Sequence, residues 1–249
     1  MQDQAFTIKV MTEKEVGIAI DWAAKEGWNP GLHDAHNYYK ADPNGFLIGY
    51  LGDEAIATIS VVKYDSSFAF LGFYIVKPEY RGKGYGMQIW QAGLAYLKHC
   101  NIGLDGVIEQ QDNYKKSGFK LAYRNIRFEG SGGGYAPENL ETIELATLPF
   151  ADIKEYDKTL FPADRSGFKI APLYANTAKL AESLFIALKT STRYDETIYL
   201  DIPEVNQAAL ALAEHHNMKP SFETARMYTK EKPHLPLDKV FGVTSFEIG

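Results

Sequence analysis

Cysteine is almost absent from this chain of 249 residues, because Cys100 is the only one. No disulfide can form within the chain, and this fits a reducing compartment. Long hydrophobic runs are also lacking, so no segment predicts a membrane span. Residues 1–10 show neither the basic nor the apolar region of a signal peptide. We therefore predict a cytoplasmic protein without a membrane partner.

The chain also lacks an excess of basic residues. It has 26 Lys and Arg against 32 Asp and Glu, which gives a formal net charge of −6 at pH 7. Nucleic-acid-binding surfaces are normally basic, so we predict no nucleic-acid partner. A composition of 45% hydrophobic and 23% charged residues is ordinary for a globular protein. The length allows one large domain or two small ones.

The hydrophobic pattern predicts an α/β protein. Residues 12–27 read as a helix, in which Thr12 and Glu15 have the spacing of a capping box. Three strand-like runs follow, separated by turn residues, and they predict an antiparallel meander. The predicted strands are 6–10, 45–51, 54–64, 68–76, 103–109, 119–130, 141–148, 168–175, 197–203 and 240–249. The other predicted helices or helical turns are 34–41, 85–99, 113–118, 150–160, 177–189 and 205–216, with Leu180, Leu184, Phe185 and Leu188 on one side of their helix.

A glycine-rich segment at residues 130–134, GSGGG, is the one clear linker in the sequence. It predicts two domains, at residues 1–134 and 135–249. The second domain lacks a counterpart of the hairpin at residues 45–64. Either this domain has lost the hairpin and has a reduced sheet, or residues are missing from the chain between Arg165 and Ser166. Because the loss of two core strands would expose apolar surface and unpaired backbone, we expect the second.

The second part of the chain partly repeats the first. A shift of 99 positions superposes three residue pairs, and the order of strand and helix also recurs. These features predict a degenerate internal duplication. The three superposed pairs are Phe119 with Met218, Tyr123 with Phe222 and Arg127 with Arg226.

Three alternating glycines, Gly82, Gly84 and Gly86, lie between a predicted strand and a predicted helix. Glycines at such a place allow backbone N–H groups to point inward beside the positive end of the helix, which suits a pyrophosphate. Arg81 and Lys83 would add positive charge. The spacing matches neither the dinucleotide-binding motif nor the Walker loop. A simple glycine turn is the other interpretation.

Two motifs around these glycines resemble those of the GNAT superfamily of acetyl-CoA-dependent N-acetyltransferases. The segment YIVKPEYRGKGYG resembles its cofactor motif, Arg/Gln-x-x-Gly-x-Gly/Ala, and NYKKSGF resembles its next motif. The resemblance covers roughly residues 5–130. It implies a mixed, largely antiparallel central sheet flanked by helices, followed by a diverged second domain of the same kind. Since YANTAKLAES replaces the glycine loop there, the second domain is expected to bind no cofactor. The matching residues are Arg81, Gly84 and Gly86 in the first motif, and Tyr114, Gly118 and Phe119 in the second.

The resemblance implies acetyl transfer from acetyl-CoA to a primary amine, by direct attack and without a metal. It makes Tyr114 the proton donor to the departing thiolate, and Asn113 a contact of the pantetheine arm or of the loop. It also assigns the acetyl carbonyl and the pantetheine arm to the splayed strand, and the pyrophosphate to the loop. The strand residues are Tyr74, Ile75 and Val76, and the loop residues are Arg81, Gly82, Lys83, Gly84, Tyr85, Gly86 and Met87.

The acceptor side is less defined by the sequence. Trp28 lines the acceptor site in one interpretation and belongs to the core in the other. His33 and His36 have a spacing that could hold a metal, although ordinary polar roles are the simpler interpretation. His215 and His216 end a helix, where cations suit its dipole, and receive no chemical role. The candidates for the general base are Glu109, Asp105, Glu79, His33 or a relay of water molecules.

Three functions fit these motifs. The first is an N-acetyltransferase acting on a small-molecule or peptide amine, with cationic small molecules favoured by the acidic composition. The second is a non-catalytic acyl-CoA-binding regulatory module. The third is a nucleotide-binding protein. The sequence predicts neither the acceptor nor the oligomeric state.

Overall fold

The structure is a computed structural model that describes residues 5–31, 34–137, 142–144, 147–159 and 172–249. The described residues form two compact units. The first reaches Leu104 and includes Glu247–Gly249, and the second lies between Asp105 and Phe246. In the described part of the chain no helix is both long and apolar enough to cross a membrane. The predicted sites at His33 and at the junction of Arg165 and Ser166 lie outside the described residues.

The first unit is built on an antiparallel meander that ends in one parallel pair. Strands β1 to β4 pair antiparallel in chain order, and β4 then pairs parallel with the beginning of β5. Helix α1 begins with the predicted capping box, since the Thr12 hydroxyl accepts from the Glu15 N–H and the Glu15 carboxylate accepts from the Thr12 N–H. The elements are β1 (Phe6–Val10), α1 (Glu13–Lys25), α2 (Asp34–Ala41), β2 (Phe46–Leu51), β3 (Glu54–Lys63), β4 (Phe68–Val76), α3 (Tyr85–Tyr96) and β5 (Asn101–Val107).

The last residues of the chain complete the core of the first unit. Ser60 donates a side-chain hydrogen bond to the Glu247 carbonyl at 3.1 Å, and the Tyr64 hydroxyl donates to the Ile248 carbonyl at 2.6 Å. Ile248 is buried in the core cluster formed with α1 and α2. The predicted strand at 240–249 is therefore wrong for most of its length, because residues after Gly242 form these contacts and not a ladder.

The second unit has a long antiparallel pair at its centre. Strand β6 lies between β9 and β8 and pairs antiparallel with both. A separate two-stranded ladder joins β7 and β10. The elements are α4 (Gln111–Lys116), β6 (Lys120–Ser131), α5 (Phe150–Lys158), β7 (Leu173–Tyr174), α6 (Ala178–Thr190), β8 (Thr197–Pro203), α7 (Gln207–His215), β9 (Lys219–Tyr228) and β10 (Val240–Gly242).

Largely antiparallel sheets with accompanying helices confirm the predicted fold class in both units. The first compact unit ends at Leu104, earlier than the predicted domain boundary. The reason is that β6 pairs with β8 and β9 and therefore belongs to the second unit. The domain boundary predicted at residues 134 and 135 rests on the glycine-rich linker, and it stays a prediction.

Three elements of the second unit differ from the sequence-based prediction. Strand β9 was not predicted, and its first residues Lys219-Pro220 carry no strand signal. No strand occurs in the described part of residues 141–148, where Ile143 and Leu148 are exposed and pack on no core. On α6 the buried side consists of Ala181 and Phe185, whereas the leucines predicted beside Phe185 are exposed. Those leucines are Leu180, Leu184 and Leu188.

The two duplicated strands carry arginines that bind aspartates reciprocally. Arg127 in β6 binds Asp201 in β8 through two hydrogen bonds of 2.7 Å. Arg226 in β9 binds Asp105 in β5, with Nε 2.8 Å from Oδ1. The register places Tyr123 opposite Arg226 and Arg127 opposite Phe222. Since Phe222 is the counterpart of Tyr123 and Arg226 that of Arg127, the two strands pair as if related by a two-fold axis. Each copy therefore supplies the arginine for the aspartate of the other.

We predict that Gly72→Ala lowers the stability of the first unit. A Cβ at Gly72 would lie 2.0 Å from the Glu247 carbonyl oxygen, so the chain end must move away from β4. Overpacking of this kind typically costs about 1–3 kcal/mol. The measurement is the free energy of unfolding in urea. Gly17→Ala is the control, since Gly17 lies in α1 and a Cβ there would meet nothing within 4 Å; equal losses in both variants would contradict the prediction.

We predict that Arg226→Met destabilises the second unit by about 3–5 kcal/mol, because it leaves the Asp105 carboxylate buried without its counter-ion. The Asp105 side chain is 0% exposed and that of Arg226 is 7% exposed. The matched control is Arg193→Met, which breaks an arginine–aspartate pair that is 73% and 71% exposed. That change should cost at most about 1 kcal/mol. Urea unfolding followed by circular dichroism compares the two, and similar costs would refute a structural role for the buried pair.

Candidate active site

The glycine loop lies between β4 and α3, after a 3₁₀ turn at Pro78–Tyr80. Gly82 and Gly84 have φ angles of 75° and 85°, a left-handed conformation that favours glycine. Gly84 is the N-cap of α3 and provides no capping side chain, and the first turn of α3 contains no acidic residue. A Cβ at either glycine would meet nothing within 4 Å. The positive end of α3 therefore has no capping side chain, and the space at the Cβ positions of both glycines is open, which is the arrangement of an anion site.

The third glycine has a different function from the other two. A Cβ at Gly86 would lie 2.6 Å from the Tyr74 hydroxyl and 3.2 Å from Cγ2 of Val76. Gly86 therefore lets α3 approach β4 closely. The Tyr74 ring packs at 5.0 Å from the Trp90 ring, and burial raises the pKa of Tyr74. The structure thus brings together the predicted loop and two of the predicted strand residues.

Arg81 attaches the loop to its own scaffold. Its Nε donates to the Val76 carbonyl at 2.8 Å, and its Nη2 is paired with the Glu26 carboxylate. The charge of Arg81 is therefore largely balanced by protein. Lys83 is exposed, and its ammonium lies 5.3 Å from the Tyr80 ring centroid. Lys83 and the end of α3 are the sources of positive potential at the loop.

The two other predicted loop residues lie in the first turn of α3. Tyr85 packs against Phe6 with ring centroids 4.9 Å apart, and against Tyr80 at 6.3 Å. Met87 is 56% exposed, although it is a large apolar residue. An exposed methionine beside the open loop is suited to contact a ligand that binds there.

Strand β4 extends beyond its parallel ladder with β5. That ladder runs from Phe68↔Asn101 to Leu71↔Leu104, and β4 continues to Val76. The register with β3 shifts just beyond, where Phe73 has a φ of 44° and its carbonyl accepts from the Thr58 hydroxyl at 2.9 Å. The sequence gives one signal for this bulge at Phe73. It is Gly72, because a glycine inside a strand often marks a bulge or a close contact.

The side chain of Ile75, another predicted strand residue, points into the core formed with α1 and α2. Ile75 pairs with Thr58 in β3, so its backbone stays in the sheet. Any contact of Ile75 with a ligand would therefore use backbone groups.

Tyr114 lies on α4, with its ring against the backbone of β5. A Cβ at Gly106 would lie 2.1 Å from Cε2 of Tyr114, so this place in β5 accepts only glycine. Gly106 was not predicted as a site residue, and its only sequence signal is again a glycine inside a strand. The Asn113 amide donates to Gln110 at 2.7 Å and accepts from Lys116 at 3.3 Å, so it is held within its own helix region.

The candidates for the general base occupy different environments. Asp105 is buried and ion-paired with Arg226, which assigns it a structural role and removes it as a base. Glu109 is exposed on a 3₁₀ turn at Ile108–Gln110, and Glu79 is exposed in the turn before the glycine loop. Neither is preorganised by burial.

The residues predicted for the acceptor side lie in different surroundings. Trp28 is half-buried and packs against the core cluster of the first unit. His36 is exposed, with Nδ1 2.5 Å from the Glu13 carboxylate. Among the described residues, His36 belongs to no group of three metal-binding side chains.

Two family models match this chain. The model described as "Acetyltransferase (GNAT) family" matches residues 16–119, and that described as "Acetyltransferase (GNAT) domain" matches residues 159–242. Holothin acyltransferase from Pseudoalteromonas sp. (strain SANK 73390) is 26% identical, over 100% of this chain and 96% of that protein. An uncharacterised Caenorhabditis elegans protein is 40% identical, over 58% of this chain and 54% of that protein.

Solved structures show the same fold. A proposed acetyltransferase from Pyrococcus horikoshii matches with a TM-score of 0.81 at 22% identity, covering 100% of this chain and 98% of that one. A GCN5-related N-acetyltransferase from Sphaerobacter thermophilus matches with a TM-score of 0.63 at 13% identity, covering 94% and 98%. Two models of one family, matched in tandem over most of the sequence, account for the duplication. The chain belongs to the GNAT family of acetyltransferases.

Proposed function

We propose that this protein is an N-acyltransferase that moves the acetyl group of acetyl-CoA to a primary amine. The observation that carries the proposal is the beginning of α3, where Gly84 leaves the helix end uncapped and open. Such an end attracts the pyrophosphate of coenzyme A. Family membership and an acyltransferase relative along the whole chain support the same function.

The loop provides the affinity for the cofactor in this proposal. Backbone N–H groups at Gly84 and in the first turn of α3 hydrogen-bond the pyrophosphate, and Lys83 adds charge. Arg81 acts indirectly, because its contacts with Val76 and Glu26 hold the loop in position. Backbone groups of Tyr74, Ile75 and Val76 bind the pantetheine arm and the thioester carbonyl in this proposal.

The reaction requires one bond to form and one to break. The neutral amine nitrogen attacks the thioester carbonyl carbon, and the tetrahedral intermediate collapses with cleavage of the carbon–sulfur bond. The nitrogen is positively charged after the attack and loses one proton to a base or through water. The departing thiolate receives a proton from the Tyr114 hydroxyl, which is reprotonated from solvent. Gly106 supports this role by giving the Tyr114 ring its place on β5.

The acceptor is proposed to be a small molecule or a peptide that carries an amine. The name of the Pseudoalteromonas relative gives holothin as the acceptor of that enzyme. Holothin therefore belongs in the first panel of amines to be tested, together with polyamines, amino acids and peptides. The net charge of −6 favours cationic acceptors among them. A cytoplasmic location, where acetyl-CoA is available, is part of the same proposal.

A non-catalytic acyl-CoA-binding module is the competing function, and turnover separates the two. Acetyl-CoA is incubated with the protein and the amine panel, and the release of free thiol is followed. An enzyme gives continuous release with at least one amine, together with an acetylated product detectable by mass spectrometry. Tight binding of acetyl-CoA without release against a wide panel would support the regulatory module.

We predict that Gly84→Val lowers the affinity for acetyl-CoA at least about tenfold. The side chain would fill the space before the helix end, and a valine disfavours the φ of 85°. Gly27→Val is the matched control, because Gly27 also has a positive φ, of 80°, and open space around its Cβ position. Both changes should cost about 1–2 kcal/mol of stability, but calorimetry should show the loss of affinity only for Gly84→Val. Unchanged affinity would remove the loop from the cofactor site.

We predict that Tyr114→Phe lowers kcat by about tenfold to ten-thousandfold while the KM for acetyl-CoA stays the same. The change removes only the hydroxyl, so the ring keeps its place against Gly106. Tyr135→Phe is the control, since Tyr135 is 92% exposed. Steady-state kinetics under conditions where chemistry limits turnover is the measurement. Wild-type kcat would exclude Tyr114 as the proton donor, and a loss of affinity alone would make it a packing residue.

A further inference from the structure

Three metal-binding side chains converge in the second unit, away from every residue assigned above. The oxygen Oε1 of Glu182 lies 3.5 Å from Nε2 of His215 and 3.8 Å from Nε2 of His216. The three ligand atoms all lie within 4.8 Å of one another. Glu182 lies on α6, and the histidines end α7. We propose that these residues form a site for a divalent transition metal of the zinc type, which fastens α7 to α6.

The donor set fits this class of metal. Two imidazole nitrogens and one carboxylate oxygen are ligands that Zn²⁺ accepts, with metal–ligand distances of about 2.0–2.2 Å. In a tetrahedral site such ligands lie about 3.3 Å apart, a value that follows from those distances. The two separations from Glu182, of 3.5 and 3.8 Å, are slightly longer than this value, and all three ligand atoms lie within 4.8 Å of one another. A fourth position remains for water, because the His215 side chain is 71% exposed.

His216 provides an independent indication. Its Nε2 is buried and has no hydrogen-bond partner in the described part of the chain. A buried polar nitrogen without a partner is costly, and a metal ion would satisfy it.

The surrounding structure both holds the site and limits its strength. The His216 ring packs against the Phe185 ring with centroids 4.5 Å apart, which fixes its orientation. The negative end of the α7 dipole favours a cation beside His215 and His216. The positive charge of Lys189, which acts on His216, opposes the binding of a cation. We therefore expect micromolar affinity for the metal and not the affinity of a buried structural zinc site. The sequence could not indicate this site, because Glu182 lies far from the histidines along the chain.

The test uses the full-length protein without an affinity tag, stripped of metal with a chelator, and titrated with ZnCl₂ by calorimetry. One equivalent of Zn²⁺ should bind, the melting temperature should rise with zinc, and Mg²⁺ should do neither. His216→Phe keeps an aromatic ring on Phe185 but removes the ligand, and it should weaken zinc binding at least about tenfold. Glu182→Gln should weaken it similarly.

His36→Phe is the matched control, because His36 and Glu13 form a histidine–carboxylate pair without a third ligand in the described residues. It should leave the zinc affinity unchanged. Co²⁺ provides a second measurement, since a four-coordinate site gives intense visible absorption that His216→Phe should abolish. Absence of zinc binding, or equal affinity in the wild type and His216→Phe, would overturn the proposal whatever the acyltransferase assays show.

Discussion

The buried pair of Asp105 and Arg226 is the contact on which the centre of the second unit depends. Both side chains are nearly inaccessible to water, so the charge of each is tolerated only because the other is there. The Asn125 amide also donates to Asp105, at 2.8 Å. The position of Asp105 fixes the end of β5, and Gly106, the next residue, carries the ring of Tyr114. An arginine from the second copy therefore supports the residue proposed as the proton donor of the first.

Glycine has two different physical functions in and around the proposed cofactor site. Gly84 supplies a backbone conformation and leaves a helix end open, whereas Gly86 only makes room for Tyr74 against α3. Gly72 and Gly106 likewise make room, one for the chain end and one for an aromatic ring. Close packing therefore requires three of these glycines, and the left-handed φ requires the fourth. In the loop motif, Gly84 must lie where the helix begins and Gly86 where the helix contacts the strand. The spacing of the two glycines is therefore tied to this arrangement of strand, loop and helix.

Charge is distributed in a way that the motif alone does not reveal. Arg81 holds a motif position, yet its guanidinium is paired with the Glu26 carboxylate and a β4 carbonyl. The positive potential of the loop then comes from the helix end and from Lys83. A helix end is fixed by the fold, so this potential persists where a flexible side chain could swing away. Binding of an anion at this loop would therefore depend mainly on backbone geometry.

The sequence by itself determined α1, the meander and the glycine loop of the first unit, because a capping box, turn residues and glycine spacing are local signals. The capping box of α1, the meander and the loop at Gly84 were all predicted in place. Tertiary structure alone decided the bulge at Phe73, the role of Gly106 and the insertion of Ile248 into the core. It also showed that Asp105, a candidate base in the sequence, is the buried ion-pair partner of Arg226. These features depend on residues far apart in the chain, and their contacts form only when packing brings the elements together.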